Sequence, residues 1–338
     1  MSVPDTLPGI RIAVTGSRGK SGVVRLLHAG LCACGLNCRA RITGVLPREL
    51  TPGGESPILR AAGANVAELK WWLSQLPPEV GAVVTENSAV SPELQRVCPE
   101  ALRPTLTVLT NTRTDHEALW GTGENDVLRA LSGALPRGGT VVLPHELAER
   151  SDMAALAEKK ELKLHPVEKI SDLRSHLAIN IPLALKAAVL SGADKLRACA
   201  AMKTLAPDIA DSCVLRVGRA ELAFAFSIND LASTQEYFTS LGWKERDTVL
   251  VFNHRGDRRD RLRAFEDWMR RGGWKEVRII GDHPVFSKLA GSYVKLSNIM
   301  EFGAFIETHK RVFGCGNAVH GLPLAFRMAL EGGAAANE

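Results

Sequence analysis

The stretch "RIAVTGSRGKSGVVRLLHAGL", Arg11 to Leu31, decides how the rest of the chain is read. Ile12, Ala13 and Val14 make a short apolar run suited to a buried strand, and Ser21 to Leu31 has the pattern of a following helix. Gly16 and Gly19 fall where the chain must turn. A turn at a helix N-terminus directs unpaired N–H groups and the positive end of the helix dipole outward, the arrangement that binds a phosphate. The familiar loop G-x-x-x-x-G-K-[ST], however, needs glycine where this chain has Val14, and only Ser17 and Arg18 separate Gly16 from Gly19. From this window two readings stand. One is an ordinary strand-to-helix turn with a solvated Arg-Gly-Lys. The other is a shorter nucleotide loop, in which Lys20 places a point charge on terminal phosphates and Ser21 offers a hydroxyl to magnesium.

At 338 residues the chain is long for one core, so two domains are expected. Hydrophobic residues at 45% and charged residues at 23% are ordinary for a globular protein in water. No apolar run approaches bilayer length; the longest candidate, Ala178 to Leu190, contains Pro182 and Lys186. The opening "MSVPDTLPG" has no basic start followed by an apolar segment, so a cytoplasmic protein is expected. Seven cysteines, an odd number spread over the chain, do not suggest a disulfide framework. Cys32, Cys34 and Cys38, close to His28, lack a second ligand pair at zinc-finger spacing, and buried thiols near a helix end explain them better. The net charge of +5 is modest, but "RARITGVLPREL" and "HRGDRRDRLR" concentrate arginine in two segments. Aromatics amount to 5% and are not interleaved with them, so no nucleic-acid partner is expected. An acidic small molecule, an acidic polymer or the nucleotide itself fits.

Beyond the loop, "RIAVTG", "GAVVTE", "TLTVLTN" and "GTVVLP" alternate with amphipathic stretches, which argues for a parallel sheet wrapped by helices. After the helical "LAINIPLALKAAVLSGADKLRACAAMKTL", strand candidates resume at "AELAFAFSIND", "DTVLVFN", "EVRIIGD" and "RVFGCG". The expectation is an α/β chain of two domains, residues 1–205 with a mostly parallel sheet flanked by helices and the loop after its first strand, then a smaller Rossmann-like α/β domain over 206–338. The final "EGGAAANE" should fray. Ligands of such sheets bind at the carboxyl ends of the strands. Gly16 to Ser21, Glu86 and Asn111 to His116 each follow directly on a strand, and Glu86 and His116 beside a phosphate loop suit magnesium.

The loop Gly16-Ser17-Arg18-Gly19-Lys20-Ser21 resembles the shorter G-T-x-G-K-[ST] loop of the Mur ligase superfamily, and "NTRTDH" resembles its Asn-x-x-x-Asp-His segment. Asn180 in "HLAIN" is similar to the asparagine that contacts adenine. "GRAELAF" with "IND" resembles the Gly-Arg-x-Glu segment and the aspartate that holds ribose. Within the superfamily, "TGVLPRE", "SPELQ", "ALSGALP", "SINDLAST", "VFNHRGDR" and "GCGNAVHG" look like the ATP-dependent ligase subunit of poly-γ-glutamate synthase, an enzyme of capsule biosynthesis. These segments run from Arg11 to Gly321, nearly the whole chain.

The resemblance implies an ATP- and Mg2+-dependent ligase that activates a carboxylate as an acyl phosphate and joins it to an amine. Lys20 and the loop N–H groups would clamp the transferring phosphoryl group; Ser21 and Glu86 would hold one magnesium, and His116 with Thr43 a second. Arg219 would reach the terminal phosphates, while Asn180 and Asp230 would seat adenine and ribose. Arg41, Arg48, Arg255 and Arg258 either receive the carboxylates of glutamate or polyglutamate or form a solvated basic surface. The loop begins too early for a domain that grips a nucleotide-sugar, which argues against a peptidoglycan precursor. Three departures from the family are expected to matter: there is no membrane-anchoring segment before the loop, Asn87-Ser88 stands in place of Cys-Met, and Leu131 stands roughly where other members carry a carbamylated lysine. Three functions remain open: a γ-glutamate polymerase aided by a small integral-membrane subunit at the inner face of the membrane, a folylpolyglutamate synthase-like ligase on a soluble acceptor, and a non-catalytic ATP-binding subunit. Oligomeric state stays open.

Overall fold

The computed structural model describes residues 7–335 except 45, 61–64, 66, 115, 171–174, 229 and 286, and its contacts divide the chain into two units, Met1–Ala206 and Pro207–Glu338. In the first unit eight strands form one sheet: β1 (Ile10–Thr15), β2 (Cys38–Ile42), β3 (Arg48–Thr51), β4 (Gly54–Pro57), β5 (Ala82–Glu86), β6 (Leu106–Leu109), β7 (Thr140–Pro144) and β8 (Lys163–Val167). Their order is β4-β3-β2-β5-β1-β6-β7-β8. Pairing is parallel from β2 through β8, and the β2-β3 and β3-β4 pairs are antiparallel.

Ile12 to Val14 of β1 read as an apolar run because both faces of the sheet are covered there. Ile12 and Val14 join a core with Val23, Leu27 and Leu31, whereas Ala13 faces the opposite side with Leu69, Trp72 and Val83. The helix Lys20–Ala33 buries Val23, Val24, Leu26, Leu27, Gly30 and Leu31, at the spacing of a single helical face. Its partners are the helices Ser175–Leu190 and Lys195–Thr204. A Cβ on Gly30 would lie 2.5 Å from Met202 Cε and 3.4 Å from Ala198 Cβ, so a larger residue there would displace the Met202 side chain. Register sets the site: Val14 stands opposite Glu86 and Thr15 opposite Leu109, so residues following β1, β5 and β6 leave the sheet along one edge.

The second unit holds β9 (Cys213–Val217), β10 (Ala220–Phe224), β11 (Val249–His254), β12 (Glu276–Gly281) and β13 (Arg311–Cys315), ordered β12-β11-β13-β10-β9. Only the β9-β10 hairpin is antiparallel. Phe224, Phe226, Phe252, Phe265, Phe302 and Phe313 are fully buried in it. Five strands escape the sequence pattern. β2 carries Arg39 and Arg41, while β3, β4, β8 and β9 lie toward sheet margins, where alternation is not enforced by burial on two faces. The expected fraying at "EGGAAANE" is corrected in part, since the last helix continues from Pro323 to Ala335.

Candidate active site

Glycine chemistry shapes the loop after β1. Gly19 has φ 77° at the N-cap of the helix Lys20–Ala33, where no side chain caps the first turn, so the N–H groups there remain directed at the loop mouth. Gly16 has φ 129°, and a Cβ on it would sit 2.1 Å from Thr110 Oγ1. Residues just after β6 brace the loop from below. Thr110 Oγ1 donates to the Arg18 carbonyl (2.5 Å), Asn111 Nδ2 donates to the same oxygen (3.1 Å), and Ser17 Oγ donates to Asn111 Oδ1 (2.6 Å). Lys20 Nζ folds back to donate to the carbonyls of Gly16 (2.7 Å) and Ser17 (3.2 Å). The ammonium therefore stands at the rim of the loop.

Glu86 is the node beside it. The carboxylate is buried, 6% exposed, and its Oε2 accepts from Ser21 Oγ (3.1 Å) and from the Thr43 N–H (3.2 Å). Gly44 keeps this corner open, since a Cβ there would come within 3.1 Å of Glu86 Oε1 and 3.2 Å of Ser21 Oγ. A carboxylate and a hydroxyl converging on a glycine-lined space are the hard oxygen donors that a magnesium ion takes. Asn87 and Ser88 turn out to form a polar lock. Asn87 Nδ2 donates to the carbonyl of Gln95 (2.9 Å) and to its Oε1 (3.1 Å), while Ser88 Oγ hydrogen-bonds to Thr43 Oγ1.

A cavity of ≈ 290 Å³ is lined by Glu86, Thr43 and Ser88 and also by Arg41, Arg60 and Glu68. Arg41 is 6% exposed and hydrogen-bonds through Nη2 to Glu68 Oε2. Arg60 grips the same carboxylate through Nε (3.0 and 3.2 Å) and Nη2 (3.1 Å). Burial works to raise the Glu68 carboxyl, but the hydrogen bonds from Arg60 and the Asn65 N–H, with the charges of Arg60 and Arg41, hold it below its ordinary value.

The remaining sequence candidates are distributed more widely. Arg48 pairs with Glu55 at 3.2 Å and is not among the residues lining the cavity. His116 heads the helix Glu117–Trp120 with φ 47°, its ring 4.9 Å from that of Trp120, whose Nε1 donates to the Val90 carbonyl at 2.6 Å. Asp115 of the same segment lies outside the described residues. Leu131 is 1% exposed in an apolar cluster with Trp120 and Val127, so no oxygen ligand comes from that position. Asn180 is buried with its amide against the loop: a Cβ on Gly19 would meet its Oδ1 at 3.0 Å, and one on Gly22 its Nδ2 at 3.2 Å. Cys32 Sγ lies 3.5 Å from His28 Nε2.

In the second unit, Arg219 is exposed in the β9-β10 turn beside Gly218, which has φ 55°. Asp230 caps the helix Leu231–Ser240, its Oδ1 accepting from the Ser233 N–H at 2.8 Å. Arg255 pairs with Asp257 at 2.7 Å, and Arg258 is exposed. The carboxyl ends of β11, β12 and β13 are cross-braced. Asn253 Nδ2 donates to the carbonyls of Asn317 and His320, both at 2.6 Å, and Asp282 meets the Gly256 N–H at 2.7 Å and His320 Nε2 at 3.1 Å.

Sequence reasoning missed Thr110, Arg60 and Glu68, and it named Asn111 and Ser88 without their contacts. Thr110 had a signal, since it directly follows the strand "TLTVL". Arg60 and Glu68 had none, because their meeting with Arg41 is a tertiary event.

The likeness read from the sequence holds at both levels of comparison. The family model described as the poly-gamma-glutamate synthase CapB C-terminal domain matches residues 214–333. PGA synthase CapB of Bacillus subtilis (strain 168) is 28% identical over 281 residues, covering 77% of this chain and 71% of that protein. Among solved structures, E. coli FolC in complex with ADP superposes with a TM-score of 0.69 at 14% identity, over 97% of this chain and 90% of that one. Folylpolyglutamate synthase from Thermotoga maritima gives a TM-score of 0.66 at 13% identity, over 96% and 90%. A bifunctional folylpolyglutamate synthase/dihydrofolate synthase with Mn, AMPPNP and L-glutamate bound gives 0.69 at 14% identity, over 96% and 90%. The fold is that of these ligases, a large, mostly parallel α/β sheet domain and a smaller second sheet domain.

Proposed function

We propose that this chain, similar to PGA synthase CapB through most of its length, is an ATP-dependent ligase that activates the γ-carboxylate of glutamate and builds γ-linked polymer. The observation that carries the reading is the convergence of Ser21, Thr43 and Glu86 at the mouth of an uncapped helix N-terminus, beside a cavity whose lining includes Arg41 and Arg60. The loop N–H groups seat the terminal phosphates, and Lys20, already at the rim, turns its charge onto the transferring phosphoryl group. Ser21 and Glu86 would hold Mg2+, which when bound would neutralise charge on the phosphate oxygens; His116 with Thr43 is our proposal for a second ion. A carboxylate oxygen attacks the γ-phosphorus, the bond to the bridging oxygen breaks, and ADP leaves. An amine nitrogen then attacks the acyl carbon, expelling phosphate and giving up a proton. By resemblance, Asn180 and Asp230 serve adenine and ribose, Arg219 the terminal phosphates, and Arg255 and Arg258 the acidic substrate.

Purified protein with ATP, magnesium and glutamate should release ADP faster than without glutamate, and hydroxylamine should trap a γ-glutamyl hydroxamate. Lys20→Ala should lower ATP turnover about 10²- to 10³-fold with unchanged secondary structure. If another carboxylic acid does both and glutamate does neither, the glutamate reading fails. Among the described residues no helix is long and apolar enough to cross a membrane. A polymer made for export calls for a small integral-membrane subunit as partner, and adding one should raise turnover.

A further inference from the structure

Glutamate offers two carboxylates to a ligase that must choose one of them. The following rests on the ligase reading above. If the γ-carboxylate reacts beside Ser21 and Glu86, the α-carboxylate needs a separate seat, or the side chain will bind in reverse. The cavity lined by Glu86, Thr43 and Ser88 is lined also by Arg41 and Arg60. Its ≈ 290 Å³ matches the lower end of small-molecule sites, which run from about 300 to 1,000 Å³. It is sized for one terminal residue of an acceptor, with the rest of a polymer running outward.

The arginine wall is built for one further anion. Arg41, Arg60 and Glu68 together carry a single net positive charge, so one more carboxylate balances them. Glu68 meets Arg41 through Nη2 and Arg60 through Nε and Nη2. A guanidinium has five donors in a rigid fork, so donors remain on both arginines for a second carboxylate. Glu68 is itself fixed by the Asn65 N–H at 3.1 Å, which holds the two guanidiniums in place rather than leaving them to rearrange. The geometry points to Arg60 and Arg41, oriented by Glu68, as the seat of the α-carboxylate of the glutamate whose γ-carboxylate is activated. These side chains then set the γ-linkage: an α-carboxylate held by the two guanidiniums leaves the side-chain carboxylate as the one free to meet the phosphoryl group. Arg48, counted with Arg41 on sequence grounds, is engaged with Glu55 and has no part in this seat.

The test compares glutamate with 4-aminobutanoate, which keeps the amine and the reacting carboxylate and lacks the α-carboxylate. Wild type, Arg60→Ala and Arg60→Lys are assayed for ADP release and hydroxamate formation with each acid. Wild type should prefer glutamate about 10- to 100-fold in kcat/KM, the range of a charged hydrogen-bonded contact. Arg60→Ala should lose most of that preference by a higher KM for glutamate, with the KM for ATP and the activity on 4-aminobutanoate unchanged. Arg60→Lys, which keeps charge without the fork, should fall between them; if the alanine variant does not fold, the lysine variant must still show selective loss against glutamate. A parallel fall with both acids, or an unchanged KM for glutamate, overturns the assignment and leaves the ligase reading standing, as does a wild type that uses 4-aminobutanoate as well as glutamate. A wild type whose ADP release responds to neither acid overturns the ligase reading and this seat with it.

Discussion

Two arginine-rich segments look alike in composition and behave differently in space. In "RARITGVLPREL" Arg41 is 6% exposed and shares the Glu68 carboxylate with Arg60. In "HRGDRRDRLR" Arg255 pairs with Asp257, two residues along, and the side chains are 41% and 59% exposed. Water screens the second pair, so it contributes little to stability or to selection. The first group has lost most of its water, which makes each charge dependent on the others and makes any added carboxylate count for more. Composition therefore finds basic segments but does not rank them; desolvation does.

The comparison breaks or sharpens most clearly on removal of each acid. Glu68→Gln leaves the buried Arg41 beside Arg60 without a counter-charge and should cost about 3 kcal/mol, lowering the Tm of the first domain by about 10 °C. Asp257→Asn should cost under about 0.5 kcal/mol and leave thermal unfolding where it was. Equal shifts in calorimetry would erase the distinction. A smaller effect is expected from acid. Folding holds the Glu68 carboxyl below its ordinary value of 4.5, so its contribution is complete above that value and drains away as pH falls through the lowered one. The stability gap between wild type and Glu68→Gln should stay constant from neutral pH to about pH 5 and shrink below. A gap that shrinks already near neutral pH would place the carboxyl in another environment. The smallest effect belongs to the exposed segment. Arg255→Ala with Arg258→Ala should raise the KM for glutamate about two- to threefold at low salt and not at all at high salt, because exposed charges are screened. A large, salt-insensitive loss would mean that this segment, too, is desolvated when it works.

The glycine turn after β1 was legible because its requirements are local. Gly16 and Gly19 adopt backbone angles that other residues resist, and Lys20 and Ser21 follow within one turn. Strand-end placement also brought Glu86 into view, since a parallel sheet sends its carboxyl ends to one edge. The brace under the loop was half legible: "NTRTDH" was quoted as a motif, yet Asn111 gave no hint that it would hold Ser17 and Arg18 from 94 and 93 residues away. The replacement at Asn87-Ser88 was visible only as a departure. Its meaning depended on Gln95 and Thr43, which the fold brings to it.

By itself the sequence determined the α/β alternation, the glycine turn between β1 and the helix after it, the carboxylate at the end of β5 and the likeness to polyglutamate ligases. These follow from backbone angles, hydrophobic period and short-range order, which act between neighbours along the chain. Only the tertiary structure decided which arginines are buried and how they pair, because both are set by residues distant in sequence. Arg41 on β2 and Glu68 at the head of a helix lie 27 positions apart and meet as one charged wall, whereas Arg48, seven positions from Arg41 on the next strand, is paired elsewhere. A charge acquires its strength from the water it has lost, and that loss is a property of the folded chain.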